Sequence, residues 1–408
     1  MRRSNLRSLS LPSILPGTAL ALALLASAAG AQRLPRRDPA PIPFRGGPER
    51  ILPAGLLSVP RAAHTATLLG SGNVLIAGGL GSPGSTEFFD SATMSFSPGP
   101  PLLESRAANH SATLLTYGRV LIAGGWQNGR PLATSEIYDA ASGVFSLSGR
   151  MTTNRAEHTA TLLASGDVLL TGGVAASYDQ PFLSSAELYN SAAGTFRPTG
   201  SLITPRRAHI ATLLADGRVL VTGGSSARGN VLASAEIYDP LTGSFDSAGG
   251  MTVPRYKHAA ALLPDGKVLV VGGSDARDDI GRYASSELFD PAAGAFVPGA
   301  DMIERRYKLP DAVAALPGGN VLVGGGGERV EIYDPAARDF HAVEGSLDDG
   351  RLFMTATLLR GGAVLLAGGY GYRSNLTAQA WIYFPAGVEG QLRPLLREKA
   401  GVRASQPG

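Results

Sequence analysis

The stretch that decides the fold is His209-Ile210-Ala211-Thr212-Leu213-Leu214-Ala215-Asp216-Gly217-Arg218-Val219-Leu220-Val221-Thr222-Gly223-Gly224. It reads as two short strands around a tight turn. An apolar run leads to Asp-Gly, where glycine permits positive φ, and a second apolar run stops at two glycines. The second half recurs along the chain. Val-Leu, two small or aliphatic residues and Gly-Gly begin at Val74, Val120, Val168, Val219, Val268, Val321 and Val364. The pairs are Gly78-Gly79, Gly124-Gly125, Gly172-Gly173, Gly223-Gly224, Gly272-Gly273, Gly325-Gly326 and Gly368-Gly369. Their first members lie 46, 48, 51, 49, 53 and 43 residues apart. A unit near 50 residues is one small sheet, and seven such sheets in a ring make a propeller. The expected fold is all-β: a seven-bladed β-propeller with four antiparallel strands, a to d, in each blade.

Further landmarks follow each glycine pair. After a loop come Glu236-Ile237-Tyr238-Asp239-Pro240 and then Phe245, which supply strands c and d. Asp-Pro opens the turn between them, because proline presets φ and cannot donate to a ladder. The pattern over residues 51–385 resembles the kelch-repeat β-propeller family. In that family Gly-Gly ends the second strand and a Tyr and a Trp follow. Here Phe96, Phe145, Phe196, Phe245, Phe296 and Phe340 stand at the Trp position. Phenylalanine keeps the apolar body and loses the N–H donor. The chain is most similar to secreted bacterial, galactose-oxidase-like kelch propellers.

No strand d follows the seventh glycine pair. Ile51-Leu52-Pro53-Ala54-Gly55-Leu56-Leu57-Ser58-Val59-Pro60-Arg61 aligns without gaps to Phe196–Arg206, so the N-terminal strand is expected to complete the last blade and remove its open edge. Residues 1–31 read as a signal peptide: Arg2, Arg3 and Arg7, an apolar stretch from Leu15 to Leu25, and Ala29-Gly30-Ala31. Residues 32–50 read as a linker, 51–385 as the propeller and 386–408 as a poorly ordered tail. Cleavage near Ala31 implies a secreted or periplasmic protein. It also removes three arginines, taking the formal net charge from +3 to 0. No basic stripe for nucleic acid and no membrane span remain, and a monomer is expected. The chain has no cysteine, which excludes disulfides, thiolate metal sites and cysteine nucleophiles.

Topology points to one face. The b–c and d–a connections share it, and the b–c loops are long and unlike one another, as binding loops on a rigid scaffold are. Candidate binding residues there are Trp126, Arg130, Tyr178, Asp179, Arg228, Asp275, Asp278, Asp279, Tyr283, Tyr307, Lys308, Tyr372 and Arg373. Any single one is more often an ordinary exposed residue. Five histidines, His64, His110, His158, His209 and His258, share one repeat position, with arginines just before them. A ring of imidazoles suits a metal or an anion, but a residue repeated in most units usually serves the unit. The repeated glutamates, such as Glu236, are expected to pair with the arginines.

Blades six and seven break the pattern, with Asp311 and Met354 in place of histidine. If the chain has a pocket, this is the sector to search, with Asp311, Arg306 and His258 as weak catalytic candidates. The reading is a binding module for a protein or glycan, with no cofactor and no metal. A sugar-modifying enzyme of mutarotase or isomerase type is the alternative that the resemblance leaves open. Copper-radical oxidation of the galactose oxidase kind is disfavoured, because its cross-linked tyrosine needs a cysteine.

Overall fold

The computed structural model describes residues 48–179, 181–226 and 229–387. The segment read as signal peptide, most of the linker and of the C-terminal tail, and Arg228 lie outside them. The described chain forms seven four-stranded antiparallel sheets and a small two-stranded ribbon. Blade four is representative. Its strands are Ile210–Leu213, Val219–Thr222, Ser234–Asp239 and Ser244–Gly250. Ile210 pairs with Thr222, Val219 with Tyr238, and Tyr238 with Phe245. Each strand a lies against strand a of the next blade, and the last meets the first, which closes the ring.

Strand b explains the unbroken apolar run. Val219 and Val221 pack on blade three, through Leu169 and Leu188. Leu220 packs on blade five, through Val268 and Val270. Successive side chains of a strand face opposite ways, so a strand between two neighbouring sheets must be apolar on both faces. The phenylalanines of strand d lean on the aromatic residue of strand c. Tyr238 and Phe245 lie 4.9 Å apart, centre to centre, and Tyr189 and Phe196 4.8 Å.

The glycine pair marks a close approach between blades. Gly223 has φ +56°, and a Cβ there would lie 2.3 Å from the Arg255 carbonyl oxygen. Gly224 donates to that same carbonyl at 2.9 Å. No side chain fits where one blade's backbone threads under the next. The pair is therefore structural.

The N-terminal strand Arg50–Leu56 pairs antiparallel with Gln379–Phe384 in the last blade, with Ile51 opposite Tyr383 and Pro53 opposite Trp381. The ring is closed by strands from the two ends of the propeller. No helix among the described residues is long and apolar enough to cross a membrane.

Candidate functional site

The repeated polar residues come first, because they define the wall. Six buried arginines pair with six buried glutamates: Arg61–Glu87, Arg106–Glu136, Arg155–Glu187, Arg206–Glu236, Arg255–Glu287 and Arg306–Glu331, at 2.5 to 3.0 Å. Each guanidinium also reaches the carbonyl of its blade's glycine pair, as Arg206 Nη1 does to Gly223 O at 2.8 Å. The second glutamate oxygen accepts a backbone N–H from the d–a connection, as Glu236 does from Ile203 at 2.7 Å. Blade seven keeps Arg351 and replaces the acid with Gln379, which accepts at 3.0 Å. Arg306 makes the same clamp, with its donors directed to Glu331, Gly325 O and Arg329 O. Arg206→Met is expected to cost about 3–5 kcal/mol, since it strands a buried carboxylate. Denaturant unfolding checks this, and Arg206→Met with Glu236→Leu should recover much of the loss.

The histidines are structural for a related reason. Each Nε2 meets a hydroxyl of the preceding blade. His64 pairs with Thr355, His110 with Thr65 and His158 with Ser111, at 3.2, 3.1 and 3.0 Å. His209 meets Thr159 and Thr171, and His258 meets Thr222 at 2.9 Å. Burial pushes His64, His110, His158 and His258 down to about 3, with neighbouring arginines adding to it, and pushes His209 well down too. They are neutral imidazoles with Nε2 bonded into the wall, and His110, His158 and His209 also border the axial cavity. The catalytic candidate His258 thus makes an interblade contact to Thr222. Among the described residues no three acidic or histidine side chains converge on a metal position.

The two exceptions follow the same logic. Blade five offers no hydroxyl at the equivalent positions, which are Ala259 and Val271. There Leu309 fills the imidazole's place, 2.9 Å from a Cβ built on Gly272. Blade six offers Ala312 and Gly324, and Met354 packs there. Polar partners are lost together and apolar partners gained together. Asp311 does align with the histidines along the strand, because Ala312 matches Ala259. Two extra residues, Leu309 and Pro310, hand the packing role to Leu309 and release the Asp311 carboxyl.

That carboxyl faces a cavity of about 710 Å³ on the axis, lined by residues of all seven blades. The cavity opens between the d–a connections and the b–c loops. Its rim is a residue in the connection leading into each strand a: Ala63, Asn109, Glu157, Ala208, Lys257, Lys308 and Phe353, all with φ between +49° and +59°. Interblade backbone bonds tie this rim. Ala208 donates to Glu157 O and Lys257 to Ala208 O, both at 3.1 Å, and Phe353 donates to Lys308 O at 3.0 Å.

The rim carries the charge. Arg207 pairs with Glu157 at 2.5 Å and lies over the Tyr178 ring at 4.7 Å. Tyr178 stacks on Trp126 at 5.3 Å and donates to Glu157. Lys257 donates to Asp278 Oδ1 at 2.8 Å, and Lys308 lies 3.6 Å from Oδ2. Burial lowers the Lys257 pKa, Asp278 counters it, and Lys308 and Arg207 add to the depression. Asp311 is open to channel water yet surrounded by protein mass, and among the described residues no side chain bonds its carboxyl. Burial alone pushes it up to about 6.

Of the loop candidates, Tyr178 and Lys308 line the cavity, with Trp126 packed against Tyr178 and Asp278 held by Lys257 and Lys308. The structure does not bring the other loop candidates in. Asp275 is held by Arg277 at 2.6 Å. Tyr283 lies under Arg255, at 5.4 Å, and bonds through its backbone to Arg306. Tyr307 is buried, with its hydroxyl 3.5 Å from Asp279. Tyr372 donates to Gly326 O at 3.1 Å. Arg130, Asp179 and Arg373 are exposed and do not line the cavity. Glu157, Arg207, Lys257 and Phe353, by contrast, line it and were not among the loop candidates. For Glu157 and Lys257 the signal was in the chain: the position before each histidine varies, Ala63, Asn109, Glu157, Ala208 and Lys257, beside a constant histidine.

The kelch motif matches residues 206–252, the whole of blade four from its clamp arginine to the end of strand d. The other blades share its four-stranded sheet, and all but blade seven share its arginine–glutamate clamp. This is a kelch-type β-propeller. The solved structure of YjhT is similar in fold, with a TM-score of 0.55 over 80% of this chain and 95% of that one, at 11% identity. No curated protein matches the propeller by sequence.

Proposed function

We propose that this kelch propeller is a secreted or periplasmic module that binds a glycan through the axial mouth on its b–c and d–a face. The observation that carries the reading is the cavity itself. A volume of about 710 Å³ suits a ligand of one or two sugar rings. Its mouth mixes aromatic faces, Tyr178, Phe353 and Tyr370, with converging polar groups from Asn109, Glu157, Arg207, Lys257 and Lys308. Aromatic planes take the C–H faces of sugars, and the polar groups take hydroxyls.

A glycan array probed with residues 32–408 tests this. Binding to a restricted set of glycans is expected, with at least a tenfold loss in Tyr178→Ala and Tyr370→Ala. A blank array, together with a protein partner captured through the same residues, would replace the glycan with a protein ligand.

The Asp311 carboxyl favours a second reading, a sugar-modifying enzyme of isomerase type. A carboxyl held near 6 sits close to the pKa of an efficient acid–base group at neutral pH. Proton NMR of anomer exchange in any bound sugar separates the two. Saturable turnover abolished by Asp311→Asn, with binding retained, makes the protein an enzyme. Exchange at the uncatalysed rate leaves a binding module.

A further inference from the structure

We infer that the mouth contains a seat for a ligand carboxylate, occupied in the free protein by the protein's own Asp278. The inference rests on the glycan reading and makes the ligand a uronic-acid-type sugar. Three donors surround the Asp278 carboxylate. The Tyr256 hydroxyl and Lys257 Nζ each donate to Oδ1 at 2.8 Å, and Lys308 Nζ lies 3.6 Å from Oδ2. That is a set shaped for a planar carboxylate, filled from a loop rather than from the frame.

The donors and the acceptor differ in how they are held. Lys257 and Lys308 project from the hydrogen-bonded rim, and their side chains are 16% and 13% exposed. Asp278 is 41% exposed and sits on the blade-five b–c connection, in a short turn of 3-10 helix with φ +54°. Lysines that deep need an anion, and the carboxylate lying over them is the exposed and exchangeable member. The aromatic rings beside Lys308 are the surface on which the rest of a sugar would lie. Tyr370 is 5.5 Å and Phe353 5.9 Å from its ammonium.

A ligand carboxylate entering the seat must displace Asp278. Removing the Asp278 charge should therefore strengthen binding of an acidic sugar, whereas removing an ordinary contact residue weakens it. Isothermal titration of D-glucuronate and D-glucose into the wild type, Asp278→Asn, Asp278→Glu and Lys308→Gln tests this at pH 6 and low salt. Glucuronate should bind at least tenfold tighter to Asp278→Asn than to the wild type. It should bind to Asp278→Glu as it does to the wild type, and at least tenfold more weakly to Lys308→Gln. Glucose should respond to none of the changes. Unchanged or weaker glucuronate binding in Asp278→Asn overturns the inference, as does an equal gain for glucose. Glucuronate that binds no variant overturns it too. If the array still shows neutral glycans bound at the mouth, the glycan reading survives that failure.

Discussion

A chain shortened to begin at Leu57 is expected to melt more than 10 °C below the full propeller, or to fail to fold. The N-terminal strand is the outer strand of blade seven, and its removal strips that blade on one side. Ile51 and Ala54 are buried, 5% and 4% exposed, so their apolar surface returns to water. Ile51 packs into the space beside Gly345, where a Cβ would lie 2.7 Å from its side chain, and its N–H donates to Glu344 O at 2.9 Å. Glu49 leaves as well, and with it the bonds from Tyr383 at 3.1 Å and from His341 at 2.9 Å. Burial of Ile51 with its neighbours and the lost ladder together amount to about 5 kcal/mol or more. The cut also bares the edge of Gln379–Phe384, an apolar strand, and invites aggregation. A peptide of residues 48–58 added in trans should restore much of the melting temperature. An unchanged melting curve for the shortened chain would show that six complete blades and a three-stranded seventh suffice.

The ring was legible in the chain for a definite physical reason. A blade's glycine pair, clamp arginine and clamp glutamate are fixed by contacts inside the blade or with the next one, so they recur at nearly constant spacing. Ring closure by Arg50–Leu56 was legible in the same way, because a strand d keeps its pattern wherever it sits in the chain. The mouth was harder to read. Whether a b–c loop turns inward depends on partners far along the chain: Tyr178 on Trp126 and Arg207, Asp278 on Lys257 and Lys308. Spacing says nothing of such contacts, and so Tyr283 and Tyr372 were placed with Tyr178 although Tyr283 is held against its own blade and Tyr372 against the preceding one. The histidines were easier to read. Their regularity favours a role in the repeat unit over a ligand ring, and the compensating loss of hydroxyls at Ala259 and Ala312 is written beside Leu309 and Met354.

Those histidines also set how the protein meets acid. Melting temperature is expected to fall by on the order of 15 °C between pH 7 and pH 4.5. The sign follows from proton uptake. An unfolded histidine takes a proton near pH 6.5, while burial holds His64, His110, His158 and His258 unprotonated in the fold until about 3. As pH falls below 6.5 the unfolded chain binds protons that the folded one cannot, so stability drops throughout that interval. Each unit of separation is worth about 1.4 kcal/mol for each group. Asp311 acts the other way, because its raised pKa lets the fold bind a proton first, but it is one group against five. Carboxylates held low by local bonds, such as Asp90 and Asp216, lose their contribution only near and below their ordinary range, at more acid pH. The interval from 6.5 to 4.5 therefore belongs to the histidines. His258→Leu with Thr222→Val copies the apolar contact that Leu309 and Val271 already make one blade further on. The double variant should match the wild type closely at pH 7 and lose about a fifth of the acid sensitivity. His258→Leu alone leaves the Thr222 hydroxyl buried without its partner and should be less stable than the double variant at every pH. A melting temperature that stays flat from pH 7 to pH 4.5, or a slope that the double variant leaves unaltered, would mean the imidazoles accept protons in place and are not the sealed interblade contacts described above.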